Sequence, residues 1–176
     1  MSIDVRSPYE AHFKNDELAS IVLPMDSVLF DALPQVVSWN GLELSKKEEF
    51  HMTLLHVQQA SELSGRPREE TASLFNSFVG KNPIECLSLS NDLRYAEEGA
   101  NKTILVRCIV SHVDGLFADL NRTFAIAMPV QPAHVTLYSL EKNKGIHINS
   151  DEKMGGLERV HLPELEAALA KIKVAT

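Results

Sequence analysis

The sequence predicts an α+β protein with antiparallel sheets. Short apolar segments with strand character alternate with longer segments in which apolar residues recur at helical spacing. Around the middle of the chain the order is strand, helix, strand, strand, helix, strand, which favours α+β packing. Because no linker-like stretch divides the chain, we expect one domain over residues 1–176, made of two interlocked lobes.

Turn and helix-breaking residues divide the first half of the chain. Pro24 ends an apolar run, and Pro34 interrupts the next one, so any helix before residue 40 is short or broken. Asn40-Gly41 is a strong turn signal. Residues 42–44 and 50–57, joined by the charged residues 46–49, are expected to form a hairpin. Gly80 ends a segment with helical periodicity. The predicted elements are strands at 18–23, 42–44 and 50–57 and a helix at 68–79.

The second half contains further strands and two helices. Pro129 and Pro132 end one helical segment, and Pro163 stands at the first turn of the last one, where proline is favoured. Residues 143–144 indicate a turn. The predicted elements are strands at 84–89, 103–110, 133–140 and 145–148 and helices at 113–127 and 163–172.

Composition and charge limit the classes of function. The chain is 44% hydrophobic and 23% charged, as soluble globular proteins are. Its net charge of −7 argues against binding long nucleic acid, although a small nucleotide or one RNA end remains compatible. Two cysteines are too few for a disulfide framework or a cysteine-based zinc site. We find no signal-peptide pattern and no membrane-length apolar run, so we expect a cytoplasmic monomer without membrane contact.

One tetrapeptide pattern, histidine, an apolar residue, threonine and leucine, occurs twice, beginning at His51 and at His134. In a strand, side chains two residues apart share a face, so Thr53 and Thr136 are each expected beside their histidine. On the order of one random shuffle in ten thousand carries both copies, so coincidence is the weaker explanation. Two such units facing each other would be equipped for acid–base chemistry on a phosphate ester without a metal.

The two motifs resemble the hallmark of the two-histidine (2H) phosphoesterase superfamily, which includes the LigT-like 2′-5′ RNA ligases and the 2′,3′-cyclic phosphodiesterases. In that family a His-apolar-Thr/Ser-apolar motif lies on a strand in each of two lobes. The resemblance implies a bilobal α+β fold, with two antiparallel sheets related by pseudo-twofold symmetry, flanking helices and a central groove. It extends from about residue 18 to residue 148, but only the two tetrapeptides are specific.

The resemblance also implies a function. The implied activity is that of a metal-independent phosphodiesterase for 2′,3′-cyclic phosphates or 2′-5′ linkages in nucleotides or RNA ends, with reversible 2′-5′ ligation as a variant. Of His51 and His134, one would take a proton from the attacking group and the other would give one to the leaving oxygen. Thr53 and Thr136 would donate hydrogen bonds to nonbridging oxygens. No cofactor and no metal is implied, and the expected partner is the substrate.

Two further residues are candidates for substrate binding. Tyr138 is expected on the same face as His134 and Thr136, where it would line the groove and stack on a base. Packing in the core is the alternative for Tyr138. Arg107 interrupts an otherwise apolar strand and is a candidate for phosphate binding, with an ion pair or a sheet-edge position as the alternative.

The remaining histidines show no pattern of partners. His56 lies an odd number of positions from His51, so a regular strand would turn it to the opposite face. We therefore predict that His56 is packed or solvated and forms no metal site with His51 and His134, since nothing nearby has zinc-ligand spacing. His12 and His147 are interpreted as surface or structural residues.

Two other interpretations stay open. A catalytically inactive nucleotide- or RNA-binding module would keep the groove without turnover, and in a structural α+β domain the repeat would reflect an ancient duplication. Retention of both histidines and both threonines favours the enzyme, because phosphate binding alone does not require a matched proton donor and acceptor.

Overall fold

A computed structural model describes residues 3–141 and 145–174 of the chain. Within these ranges a large antiparallel sheet and five α-helices confirm the predicted α+β class. None of these helices is long and apolar enough to cross a membrane. The strands are β1 (Glu10–Lys14), β2 (Glu17–Met25), β3 (Val36–Trp39), β4 (Leu42–Lys46), β5 (Phe50–His56), β6 (Cys86–Glu98), β7 (Asn101–Val110), β8 (His134–Ser139) and β9 (Glu158–Arg159), and the helices are α1 (Val57–Ser64), α2 (Arg68–Val79), α3 (Val113–Phe124), α4 (Asp151–Gly155) and α5 (Pro163–Leu169).

The nine strands of the described ranges belong to one hydrogen-bonded sheet. Its main path runs β1-β2-β5-β8-β7-β6-β9, and β4 joins β3 to β8. The prediction of two separate sheets is not confirmed, because Met52 of β5 pairs with Val135 of β8 and connects the two halves of the chain. The central strands β5 and β8 carry the two His-Thr motifs.

The predicted turn at residues 40–41 is confirmed, and the hairpin predicted after it is not. Asn40 and Gly41 have φ angles of 50° and 76°, the left-handed values that a tight hairpin turn requires. They connect β3 to β4. The far edge of β4 pairs with β8 and not with β5, so the predicted hairpin between 42–44 and 50–57 is wrong.

The helices follow the apolar periodicity of the sequence. The predicted helix at 68–79 is confirmed as α2, which buries Phe75 and Val79 in the main core. Acidic residues lie in its first turn, where the helix dipole favours negative charge. The other two predicted helices are confirmed in shorter form as α3 and α5. The short elements β1, α1 and α4 were not predicted because they contain too few apolar residues to show a period.

Residues 145–148 do not form the predicted strand. Ile146 and Ile148 are buried and alternate with exposed residues, so the pattern that predicted the strand is real. The two isoleucines pack in a small core cluster with Leu105 of β7 and with helix α4. The alternation therefore reflects packing across the sheet rather than pairing with a neighbouring strand. The turn predicted at residues 143–144 lies outside the described residues.

One buried hydrogen bond ties β8 to the first half of the chain. The hydroxyl of Tyr138, which is fully buried, donates to the carbonyl oxygen of Pro34 at 2.9 Å. We expect Tyr138→Phe to lower the free energy of unfolding by about 1–2 kcal/mol, because the Pro34 carbonyl loses its donor. Urea denaturation measures this change.

The matched control is Tyr95→Phe, since the Tyr95 hydroxyl bonds the exposed carboxylate of Glu97. We expect this control to change the free energy of unfolding by less than about 0.5 kcal/mol. A Tyr138→Phe variant as stable as the wild type would show that the bond to Pro34 contributes nothing.

Candidate functional site

The two His-Thr motifs lie side by side at the centre of the sheet. The pair Met52 and Val135 fixes the antiparallel register of β5 and β8. Directly opposite side chains have Cβ atoms about 5 Å apart in such a pair, and diagonal residues lie about 7–8 Å apart. On the face away from Met52, this register sets His51 opposite Thr136 and Thr53 opposite His134. The two histidines are therefore diagonal neighbours on one face of the sheet.

Each motif is followed by a β-bulge at the same position. In β5, Leu54 has no partner in β2, since the register passes directly from Thr53 to Leu55. In β8, Leu137 has no partner in β7 for the same reason. An extra residue shifts the alternation of side chains by one position. Side chains beyond each bulge consequently point to the face opposite to the one they would have in a regular strand.

The bulges overturn two predictions about which residues face the groove. Tyr138 was expected beside His134 and Thr136, but the bulge turns it to the opposite face, where it is fully buried. Tyr138 is therefore a core residue and does not line the site. His56 was expected on the face away from His51. The bulge places His56 on the same face as His51, and its ring stays partly exposed.

His134 is held in one tautomer. Its side chain is 8% exposed, and its Nδ1 lies 2.8 Å from the carbonyl oxygen of Pro132. Because a carbonyl oxygen only accepts hydrogen bonds, Nδ1 carries the proton of the neutral ring and Nε2 carries the lone pair. Burial lowers the pKa of His134, with a smaller contribution from Arg107, while the bond to Pro132 opposes this shift. The ring is suited to accept a proton at Nε2.

His51 lies against a second histidine. The rings of His51 and His12 on β1 have centroids 4.7 Å apart at an interplanar angle of 76°. Burial lowers the pKa of His51 to about 4, and electrostatic interactions with His12, Lys47 and His134 contribute to this shift. His51 is therefore neutral in the free protein at pH 7. A bound anion would raise the pKa of His51 again.

A second histidine pair lies at the other end of β5. The rings of His56 and His147 have centroids 3.2 Å apart. Burial lowers the pKa of His56 to about 3, and electrostatic interactions with His147, His134 and Lys153 add to the shift. Burial, followed by the charge of Lys153, lowers the pKa of His147 to about 4. The site thus concentrates neutral imidazoles around His134.

The other predicted site residues differ in whether their polar groups are free to bind a ligand. Thr53 and Thr136 are partly exposed, and neither hydroxyl has a hydrogen-bond partner among residues 3–141 and 145–174. Both hydroxyls can therefore donate to a ligand. Arg107 is paired with His134 in the register of β7 and β8, but its guanidinium also binds the carboxylate of Asp151 at 2.7 Å. A phosphate would have to compete with that carboxylate for Arg107.

Two cavities flank the motifs at opposite ends of β5. One, of about 520 Å³, is lined by residues that include His12, Lys47 and His51. The other, of about 550 Å³, is lined by residues that include His56 and His147. Cavities of similar volume lie beside α2 and α3, so the histidines, and not volume, distinguish this region. In the described part of the chain, no group of three or more histidine, cysteine, aspartate or glutamate side chains is arranged to hold a metal ion.

Sequence reasoning missed four residues of this region, which are His12, Lys47, His56 and His147. His12 and His147 reach the motifs from distant parts of the chain, so no local pattern connects them. For His56 a signal was present. Leu54 and Leu55 are consecutive apolar residues in an otherwise alternating strand, and both are buried, as a bulge requires.

We compared the chain with protein-family models, curated proteins and solved structures, and none of these comparisons finds a significant match. The geometry and chemistry of the site are therefore the basis for assigning a function.

Proposed function

We propose that this protein is a metal-independent phosphodiesterase that acts on 2′,3′-cyclic phosphates or 2′-5′ linkages of nucleotides or RNA ends. The observation that supports the proposal best is the β5–β8 register, which brings both His-Thr motifs onto one face of adjacent strands. This register makes the four motif side chains neighbours on that face. The net charge of −7 fits a short substrate better than long nucleic acid.

His134 acts as the general base in this proposal. Its Nε2 takes a proton from the water that attacks the phosphorus of a cyclic phosphate. As the ring becomes positively charged, the Pro132 carbonyl that accepts from Nδ1 stabilises it. His134 is almost buried, so its orientation is fixed before the substrate binds.

His51 acts as the general acid, and the threonines stabilise the transition state. The bond from phosphorus to the ribose oxygen breaks, and protonated His51 gives its proton to that leaving oxygen. The anionic substrate raises the pKa of His51, so that the ring carries a proton in the complex. Thr53 and Thr136 donate hydrogen bonds to the nonbridging oxygens as their charge increases.

The strand order supports two related lobes. On one side of the β5–β8 pair the sheet continues through β2 to β1, and on the other side it continues through β7 to β6. Each motif strand carries its bulge directly after the threonine. We propose that these halves are lobes related by pseudo-twofold symmetry and that the axis passes between β5 and β8.

A catalytically inactive nucleotide- or RNA-binding module is the second candidate function. The observation that favours it is the burial of His134, since a group that exchanges protons with a substrate must be reachable. Such a module would bind nucleotides without turnover.

The assay that decides between them measures hydrolysis of nucleoside 2′,3′-cyclic phosphates and 2′-5′-linked dinucleotides in excess EDTA. The enzyme is expected to release a nucleoside monophosphate, and the His51→Ala/His134→Ala double variant serves as the control for contaminating activity. Nucleotide binding without product in the wild type would favour the binding module. Product formed equally by the double variant would exclude both histidines from the reaction.

The pH dependence of kcat/KM is a second expectation. This quantity reports groups of the free protein, in which the base must be neutral and the acid protonated. The pKa of His51 is about 4, and burial also lowers the pKa of His134 below the ordinary value near 6.5. We therefore expect a bell-shaped profile with an optimum below pH 6.5, measured where circular dichroism shows the fold intact. An optimum above pH 6.5 would contradict this assignment.

A further inference from the structure

Lys47 lies next to both motifs in space, in the link that joins β4 to β5. Its backbone N–H donates to the carbonyl oxygen of Leu137 at 2.9 Å, and Leu137 directly follows Thr136 of the second motif. Lys47 lines the same cavity as His51 of the first motif, and it contributes electrostatically to the lowered pKa of His51. Lys47 is thus bonded to the second motif by its backbone and lies close to the histidine of the first.

The ammonium group of Lys47 lacks the partners that its neighbour has. Lys46 Nζ donates to the carbonyl oxygens of Phe30 and Leu33 at 3.2 and 3.3 Å. Lys47 is partly buried, and among residues 3–141 and 145–174 it forms no side-chain hydrogen bond or ion pair. Burial lowers the pKa of Lys47, and the charge of Glu49 offsets only part of this shift. A bound anion would relieve this unfavourable desolvation of the charged form.

We propose that Lys47 binds the phosphate group of the substrate, contacting a nonbridging oxygen at the end of the site next to His51. This inference rests on the proposed phosphodiesterase function and adds a cationic ligand to its two hydroxyl donors. A lysine ammonium carries three donors and a compact positive charge, which suits an oxygen that becomes more negative in the transition state.

Other charged and titratable groups line the same cavity and limit where an anion fits. Glu10 and His12 come from β1, and Glu48 and Glu49 come from the link that carries Lys47. Carboxylates repel an anion, so a phosphate in this cavity is expected to bind beside Lys47 and His51.

The test measures binding of inorganic phosphate to the full chain by NMR titration at low ionic strength. We expect Lys47→Met to weaken phosphate binding about 10- to 100-fold, as loss of a charge-assisted hydrogen bond does, and Lys47→Arg to retain most of it. Lys81→Met is the charge-matched control, because Lys81 lines the distant cavity beside α2 and α3. It is expected to bind phosphate as the wild type does.

The pKa of His51 provides a readout that a merely structural role of Lys47 would not change. Removing the nearby positive charge is expected to raise the pKa of His51 in the Lys47→Met variant. NMR titration of the imidazole signals measures this change. Equal phosphate affinity of Lys47→Met and the wild type, or equal losses in Lys47→Met and Lys81→Met, would overturn the proposal.

The outcomes also separate this inference from the proposed function. If the protein binds phosphate through Lys47 but shows no turnover, the anion site stands and the proposed phosphodiesterase function is rejected. If Lys47→Met changes neither turnover nor phosphate affinity, the proposed phosphodiesterase function stands and the proposed role of Lys47 is rejected.

Discussion

Replacing either His51 or His134 with glutamine is expected to lower kcat/KM for a cyclic phosphate by about 10²–10⁴-fold, the usual contribution of one general acid or base. Glutamine keeps a polar side chain of similar reach but cannot exchange a proton near neutral pH. The amide of His134→Gln matches the reach of Nε2 and not that of Nδ1, so this substitution also removes the bond to the Pro132 carbonyl, and circular dichroism checks that the variant is folded.

The two histidines are expected to act as a unit. Both proton transfers belong to one displacement at phosphorus, so the double glutamine variant should be about as inactive as the weaker single variant. His161→Gln is the control, since that ring is largely exposed and far along the chain from both motifs. Fully active single variants with an intact fold would reject the proposed roles of His51 and His134.

The local part of the site could be predicted from the sequence. The period of two in a strand places Thr53 beside His51 and Thr136 beside His134, and both pairs depend only on neighbouring residues. The class of fold followed from the same periodicities, since α2 and β8 occur close to where the apolar pattern puts them.

The failures have a physical cause in the bulges. Counting positions along a regular strand assigns Tyr138 to the groove and His56 to the opposite face, and one extra residue in each strand reverses both assignments. A bulge is fixed by pairing with a neighbouring strand, so a local pattern such as the consecutive Leu54 and Leu55 indicates it only weakly. The same limit applies to Lys47, whose position depends on a hydrogen bond to β8.

The stability of the fold is expected to fall steeply in acid. The pKa values of His51 and His56 are about 4 and about 3 in the folded protein, below the value near 6.5 of an unfolded chain. Above pH 6.5 both rings are neutral in both states, so their contribution to stability is complete. Below pH 6.5 the unfolded chain binds protons first, and each ring removes up to about 1.4 kcal/mol of stability per pH unit until the folded pKa is reached.

Urea denaturation between pH 7.5 and 4.5 measures this loss. His56→Gln is expected to flatten the dependence of the unfolding free energy on pH by about 1 kcal/mol per unit below pH 6.5, because one depressed histidine no longer titrates. His51→Gln is expected to act in the same direction. If the wild type and both site variants lose stability in parallel, the rings of His51 and His56 do not resist protonation in the folded protein. The neutral imidazoles around His134 would then not be the cause of the loss of stability in acid.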